Sequence, residues 1–241
     1  WRPLRVTPKQ RKARNAYERE RRRLHRIHRF EKAARERGFV YVGGIDEVGR
    51  GPLAGPVVAA CVVLAEPLML RGLNDSKQVK PELRVELAQT IKEKCSAWAV
   101  GSACVEEINR LNIYWASVLA MERALAALTL SPQYLITDAV RIKSFAGPQE
   151  PLIKGDARSA VVAAASIVAK VHRDGLLREL HEAEPRYGFA DHKGYATPEH
   201  LRALKEHGPC VHHRSGWWRV REAQLAFGFS AEQAEVIFGA G

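Results

Sequence analysis

GGIDEVGRGPLAGPVVAACVVL, residues 43–64, holds two apolar runs on either side of a charged, glycine-rich corner. The run FVYVGGI leads into it and predicts a strand over Phe39–Ile45, and VVAACVVL predicts a second over Val57–Leu64. Gly49, Gly51, Pro52, Gly55 and Pro56 mark the corner between them. Asp46 and Glu47 are adjacent and close the first strand. Neighbouring side chains in a strand point to opposite faces. To serve one site, the chain must deviate there, and Gly43, Gly44 and Gly49 make a deviation cheap. The plainer reading is a polar strand end before a turn. Gly49-Arg50-Gly51 comes next. Two glycines let backbone approach a ligand closely and Arg50 can pair with a phosphate, although such a tripeptide also makes an ordinary turn.

Outward from this stretch the chain alternates between helix and strand patterns. Helices are predicted over Pro81–Lys94, Asn112–Leu128, Ser159–Leu180, Pro198–Glu206 and in the last twenty residues. Strands are predicted over Ala97–Val105, Tyr134–Thr137 and Pro151–Lys154. Before the quoted stretch, Arg11–Arg37 lacks Gly and Pro and predicts one basic helix ending at Gly38. Tyr17, Leu24, Ile27 and Ala34 form a thin apolar stripe along it. The pattern gives an α/β domain with a mixed sheet.

Two more carboxylates fall at strand ends. Asp138 closes YLIT, and Asp156 follows PLIKG and precedes the long helix. Each alone is equally at home as a turn or helix-cap residue. Together with Asp46 and Glu47, they occupy the strand ends where open α/β sheets place their sites. Four clustered carboxylates repel one another unless divalent cations lie between them. Mg²⁺ and Mn²⁺ favour such oxygen ligands, and two such ions about 3.5–4 Å apart can drive phosphodiester cleavage.

Charge is distributed unevenly. Residues 1–37 hold 15 Lys and Arg against 4 Asp and Glu, while the other 204 residues hold 23 of each, so the whole excess of +11 lies in the leading segment. A basic arm on a neutral body suggests a polyanion bound without sequence readout, against the alternative of a solvated helix or tail. The arm is Arg-rich but has no serine, which argues against a transit peptide. No apolar run of about 18 residues exists, so no membrane span is expected. Cys61, Cys95, Cys104 and Cys210 form no CxxC pair, which argues against a zinc site. Cys61 and Cys104 sit in apolar runs and read as small buried hydrophobes in a reducing cytoplasm.

Residues 43–64 resemble the opening signature of the bacterial ribonuclease HII family. The resemblance continues at DSK (75–77), LNIYWASVLAM (111–121), KGDARSAVVAAASIVAKVHRD (154–174) and YGFADHKGYATPEH (187–200). It covers roughly residues 39–215 and implies a ribonuclease H-like mixed sheet flanked by helices, with a C-terminal helical part. It also implies a metal-binding catalytic set of Asp46, Glu47, Asp138 and Asp156, served by Mg²⁺ or Mn²⁺. The implied activity is cleavage of RNA–DNA hybrids and of single ribonucleotides in duplex DNA. The cut falls 5′ of the ribonucleotide and leaves a 3′-hydroxyl and a 5′-phosphate. Gly49, Arg50 and Gly51 would contact the 2′-hydroxyl, and Tyr195 would stack on the next sugar. Arg173 and Asp174 also match, Asp174 as a partner of Arg173 or as an outlying carboxylate near the metals.

The chain departs from the family pattern after HGPCVHHRS, where it reads GWWRVREAQ, and in its basic arm. His212 and His213, beside Arg214, read as surface or phosphate contacts rather than metal ligands. The expected division is a basic helical extension (1–38), a catalytic domain (39–215) and a C-terminal helical segment (216–241). The expected protein is a cytoplasmic monomer. The competing readings are an inactive nucleic-acid-binding relative and a DNA-directed nuclease of the same broad fold, such as a junction resolvase. The filled carboxylate positions argue against the first. The Gly-Arg-Gly motif and Tyr195 argue against the second.

Overall fold

The computed structural model describes residues 7–228. Its five-stranded sheet has the order β3-β2-β1-β4-β5. Strand β1 (Val42–Val48) lies antiparallel to β2 (Val57–Leu64), and β2 antiparallel to β3 (Ala97–Ala103). Strands β4 (Tyr134–Asp138) and β5 (Gln149–Leu152) add in parallel on the other side of β1. Every residue of β2 is buried, as its unbroken apolar run requires of a strand covered on both faces.

The arm forms α1 (Pro8–Ile27) and α2 (Arg29–Glu36), and α3 (Pro81–Lys94) precedes β3. Helix α4 (Val105–Ala126) covers one face of the sheet, packing on Ile45, Val57, Ala59 and Cys61. After the short α5 (Gly155–Arg158), α6 (Ala160–Ala183) covers the other face, against Val42, Val58, Ala60 and Val62. Gly44 is why α6 can lie so close: a Cβ there would come within 2.4 Å of the Val161 backbone. After α6 the described residues hold α7 (Phe189–His192), α8 (Pro198–His207) and α9 (Trp218–Ala226).

Several boundaries differ from the sequence reading. Strand β1 starts at Val42 and runs through Asp46 and Glu47 in unbroken register with Ala60 and Ala59, so the expected deviation is absent. Helix α4 starts at Val105, with a break at Asn112, whose φ is 67° and whose side chain accepts from the N–H groups of Tyr114 and Trp115. The arm is interrupted at His28, whose ring bonds the Leu68 carbonyl. Gly38, with φ +94°, closes it as expected. Of the apolar stripe, Leu24, Ile27 and Ala34 enter the core and Tyr17 stays exposed. Cys104 is exposed just before α4, not buried. Trp217 and Val220 pack on Leu53 and Leu204, and the expected helical path beyond residue 228 lies outside the described residues.

Candidate active site

Asp46 and Glu47 leave β1 on opposite faces. Cross-strand partners share a face, so Asp46 goes with Ala60 toward α6, and Glu47 with Ala59 toward α4. Asp138 ends the neighbouring strand β4 one position beyond the Ile45–Thr137 pair, level with Asp46. Its Oδ1 accepts from the Gly155 N–H at 2.8 Å, which ties the start of α5, and so Asp156, to the end of β4. Asp46 and Glu47 thus leave the strand end on opposite faces, and the charge of Asp138 acts on both.

The four groups feel one another. Burial raises the Asp46 pKa well above its ordinary value, and Glu47, Asp138 and Asp156 add to the rise, while Ser166 on α6 opposes it by hydrogen bonding. Burial also raises Glu47, opposed by Arg50, whose Nη1 donates to Glu47 Oε1 at 3.1 Å. Glu47 Oε2 is buried with no hydrogen-bond partner. Asp156 is raised by burial, then by Asp75 and Asp138. Among the described residues no three His, Cys, Asp or Glu side chains stand as a ready-made metal cage. The carboxylates form a shared negative field with one bare buried oxygen, and an oxygen-seeking divalent cation suits that donor set.

Asp75, Lys77 and Ser166 belong to this neighbourhood, although the sequence reading gave them no role. Burial works against the charge on Lys77, yet Asp75, Asp156 and Asp46 raise its pKa. The hydroxyls of Ser166 and Ser76 share a hydrogen bond at 3.0 Å. The DSK block was visible in the sequence, but no spacing rule linked it to the strand-end carboxylates.

Next to the carboxylates lies the 49–56 corner, shaped by two fully buried arginines. Arg214 donates to the carbonyls of Gly49, Arg50, Pro52 and Gly55. Arg173 donates to those of Ala54, Pro56 and Lys193. A planar fork of five N–H donors suits such a cluster of carbonyls. Gly49, at φ +96°, must lack a side chain, because its Cβ would come within 2.2 Å of Arg173 Nε. Asp174 does not pair with Arg173; it binds Lys170 and faces Arg84 at 3.7 Å.

Tyr195 is partly exposed, on a turn fastened to the same corner: the Leu53 N–H donates to the Gly194 carbonyl at 2.8 Å. Behind that turn lies a chain of histidines. The Cys210 N–H donates to His213 Nδ1 at 3.0 Å, so the His213 proton sits on Nε2. That nitrogen donates to His200 Nε2 at 3.0 Å, and His200 Nδ1 donates to the Tyr195 carbonyl at 2.8 Å. Burial holds both rings neutral, lowering His200 to about 4 and His213 to about 3. The surface reading of His213 is therefore wrong: Tyr187 and Phe189 enclose it.

A sequence model described as ribonuclease HII matches residues 43–220. The chain is 51% identical over 201 residues to the ribonuclease HII of Pelotomaculum thermopropionicum, covering 83% of this chain and 76% of that one. It is 50% identical over 184 residues to ribonuclease HII 2 of Methylibium petroleiphilum, covering 76% and 85%. Among solved structures, the ribonuclease H2 of Pyrococcus horikoshii OT3 superposes with a TM-score of 0.68 at 26% identity, over 79% of this chain and all of that one.

Proposed function

The chain belongs to the ribonuclease HII family, and on that premise we propose that it cuts the RNA strand of RNA–DNA hybrids and single ribonucleotides embedded in duplex DNA. It is a metal-dependent nuclease, a phosphodiester hydrolase with the ribonuclease H-like fold. The proposed cut lies 5′ of the ribonucleotide and leaves a 3′-hydroxyl and a 5′-phosphate. Asp46, Glu47, Asp138 and Asp156 would hold the divalent ions, Mg²⁺ or Mn²⁺. Two such ions, when bound, activate the attacking water and stabilise the leaving oxygen. The observation that carries this reading is the placement of Asp46 and Glu47 at the end of β1, level with Asp138 on β4, beside a buried Glu47 oxygen with no partner.

Recognition falls to the neighbouring corner. The 2′-hydroxyl distinguishes RNA from DNA, and Gly49-Arg50-Gly51 with Tyr195 reads it. Gly51 and Tyr195 are neighbours, since a side chain on Gly51 would come within 3.7 Å of the Tyr195 ring. Arg50 is exposed and leaves Glu47 for a phosphate when substrate binds. The enzyme acts as a monomer in the cytoplasm, where its free cysteines stay reduced. No helix among the described residues is long and apolar enough to cross a membrane.

One assay tests the whole reading. The protein is incubated with Mg²⁺ and a duplex carrying one ribonucleotide, beside an all-DNA control. Cleavage of the first alone, on the 5′ side, is expected. Cutting of both would favour a DNA-directed nuclease, and cutting of neither an inactive binder.

A further inference from the structure

The strongest charge bias in the chain takes no part in the site just described. We propose that helix α1 is a second nucleic-acid surface, which grips duplex phosphates beside the cleavage site without reading sequence; this rests on duplex being the substrate.

The helix has two unlike halves. From Glu20 onward it is fastened to the body. Glu20 accepts from the Gly72 N–H at 2.9 Å, and Arg23 donates to the Leu73 carbonyl at 2.7 Å. Leu24 and Ile27 enter the core. Helix α2 then buries Glu31 against the start of α6 and hangs Arg35 on the Ala65 carbonyl at 2.8 Å. From Pro8 to Tyr17 every residue is exposed. That half continues the fastened helix outward and is closed by a capping box between Thr7 and Gln10.

Its surface is chemically one-sided. Lys9, Arg11, Lys12, Arg14, Arg19 and Arg22 are exposed, against Glu18 and the already committed Glu20. Like charges face each other three residues apart in Lys9–Lys12, Arg11–Arg14 and Arg19–Arg22. Such pairs are unfavourable in an isolated helix, and a polyanion laid along them removes the repulsion. Tyr17 is the lone large hydrophobe of the exposed half, so no apolar face competes for a protein partner.

Helix α1 packs against α5, which carries Asp156, and its anchor residues grip Gly72 and Leu73, just before Asp75. The exposed half therefore leaves the body from the margin of the carboxylate cluster. The ten exposed residues add a reach of about 15 Å, enough to meet several phosphates of a duplex lying in the site.

The test uses the full chain carrying Arg11→Gln, Lys12→Gln, Arg14→Gln and Arg19→Gln together. Affinity is measured across salt on an all-DNA duplex and on the same duplex with one ribonucleotide, both in EDTA. Each lost phosphate contact lowers the logarithmic salt slope by about 0.9. A decrease of up to roughly 3–4 is expected, equal on both duplexes, with the cut position and the saturated low-salt rate in Mg²⁺ unchanged. A companion with Arg11→Lys, Arg14→Lys and Arg19→Lys keeps the charge and the slope. Identical slopes for parent and glutamine variant overturn the proposal, as does a lysine variant as impaired as the glutamine one. Failure of the substrate reading shows separately, as a parent protein that does not cut the ribonucleotide duplex.

Discussion

Glu47 gives one carboxylate oxygen to Arg50 and keeps the other buried and bare. A buried polar atom without a partner costs about 1–3 kcal/mol, so the metal-free site is held together against its own preference. Asp46 is also unfavourably placed as an anion. Its folded pKa lies above the ordinary 3.8 because of burial first and its acidic neighbours second. The folded state then binds more protons than the unfolded one, and stability falls as pH rises above about 4. Asp46→Asn should raise the melting temperature of metal-free protein at neutral pH and flatten its decline with pH, while lowering the cleavage rate by roughly a hundredfold or more. Calorimetry in EDTA beside a cleavage assay checks both; a variant less stable than the parent at pH 7 would refute the strain argument. Tyr195→Phe and Tyr195→Ala should slow cutting at a single embedded ribonucleotide, and parent-like rates for both would remove Tyr195 from recognition. His200→Phe deletes the donor to the Tyr195 carbonyl and should raise KM for that substrate more than it changes kcat. Equal effects on an all-RNA/DNA hybrid would reduce His200 to packing.

Helix α6 depends on a residue far from it in sequence. Glu31, on α2, accepts from Ser159 Oγ at 2.7 Å and from the Val161 N–H at 2.8 Å, capping the helix whose first ten residues are all buried. Glu31→Ala should lower stability by about 1–3 kcal/mol and the melting temperature by roughly 3–10 °C, with little effect on the rate at 25 °C. An unchanged melting curve would show the cap to be idle. A truncation at Gly38 removes this cap with Leu24 and Ile27, so it tests folding before it tests binding. The sequence revealed α3 to the residue and α6 within three, because long apolar periodicity and Pro or Ser at the start are local signals. The break at His28 was not legible; the ring there bonds the Leu68 carbonyl, forty residues away. Gly44 looked like a source of chain deviation; it is an allowance for a helix that the strand cannot know is coming.

Across the whole molecule, the candidate carboxylates were readable because strand ends are marked by apolar runs that stop. The residues that shape their surroundings were not. Arg173, Arg214, His200 and His213 act through backbone carbonyls and each other, and no sequence spacing encodes a carbonyl's direction. Divalent cations that bind only the folded protein should stabilise it: at a hundred times Kd the gain is about 2.7 kcal/mol, or roughly 5–10 °C for a chain of this size. Melting with and without Mg²⁺ checks this, and a shift that survives Asp46→Asn together with Asp138→Asn would place the ion elsewhere. Arg214 supplies five of the hydrogen bonds that shape a loop made more than 150 residues earlier. During synthesis, the first strands leave the ribosome long before that guanidinium does. A half-made chain therefore carries the acidic residues without the arginine that shapes the neighbouring loop, and the proposed site is complete only after Arg214 has been made.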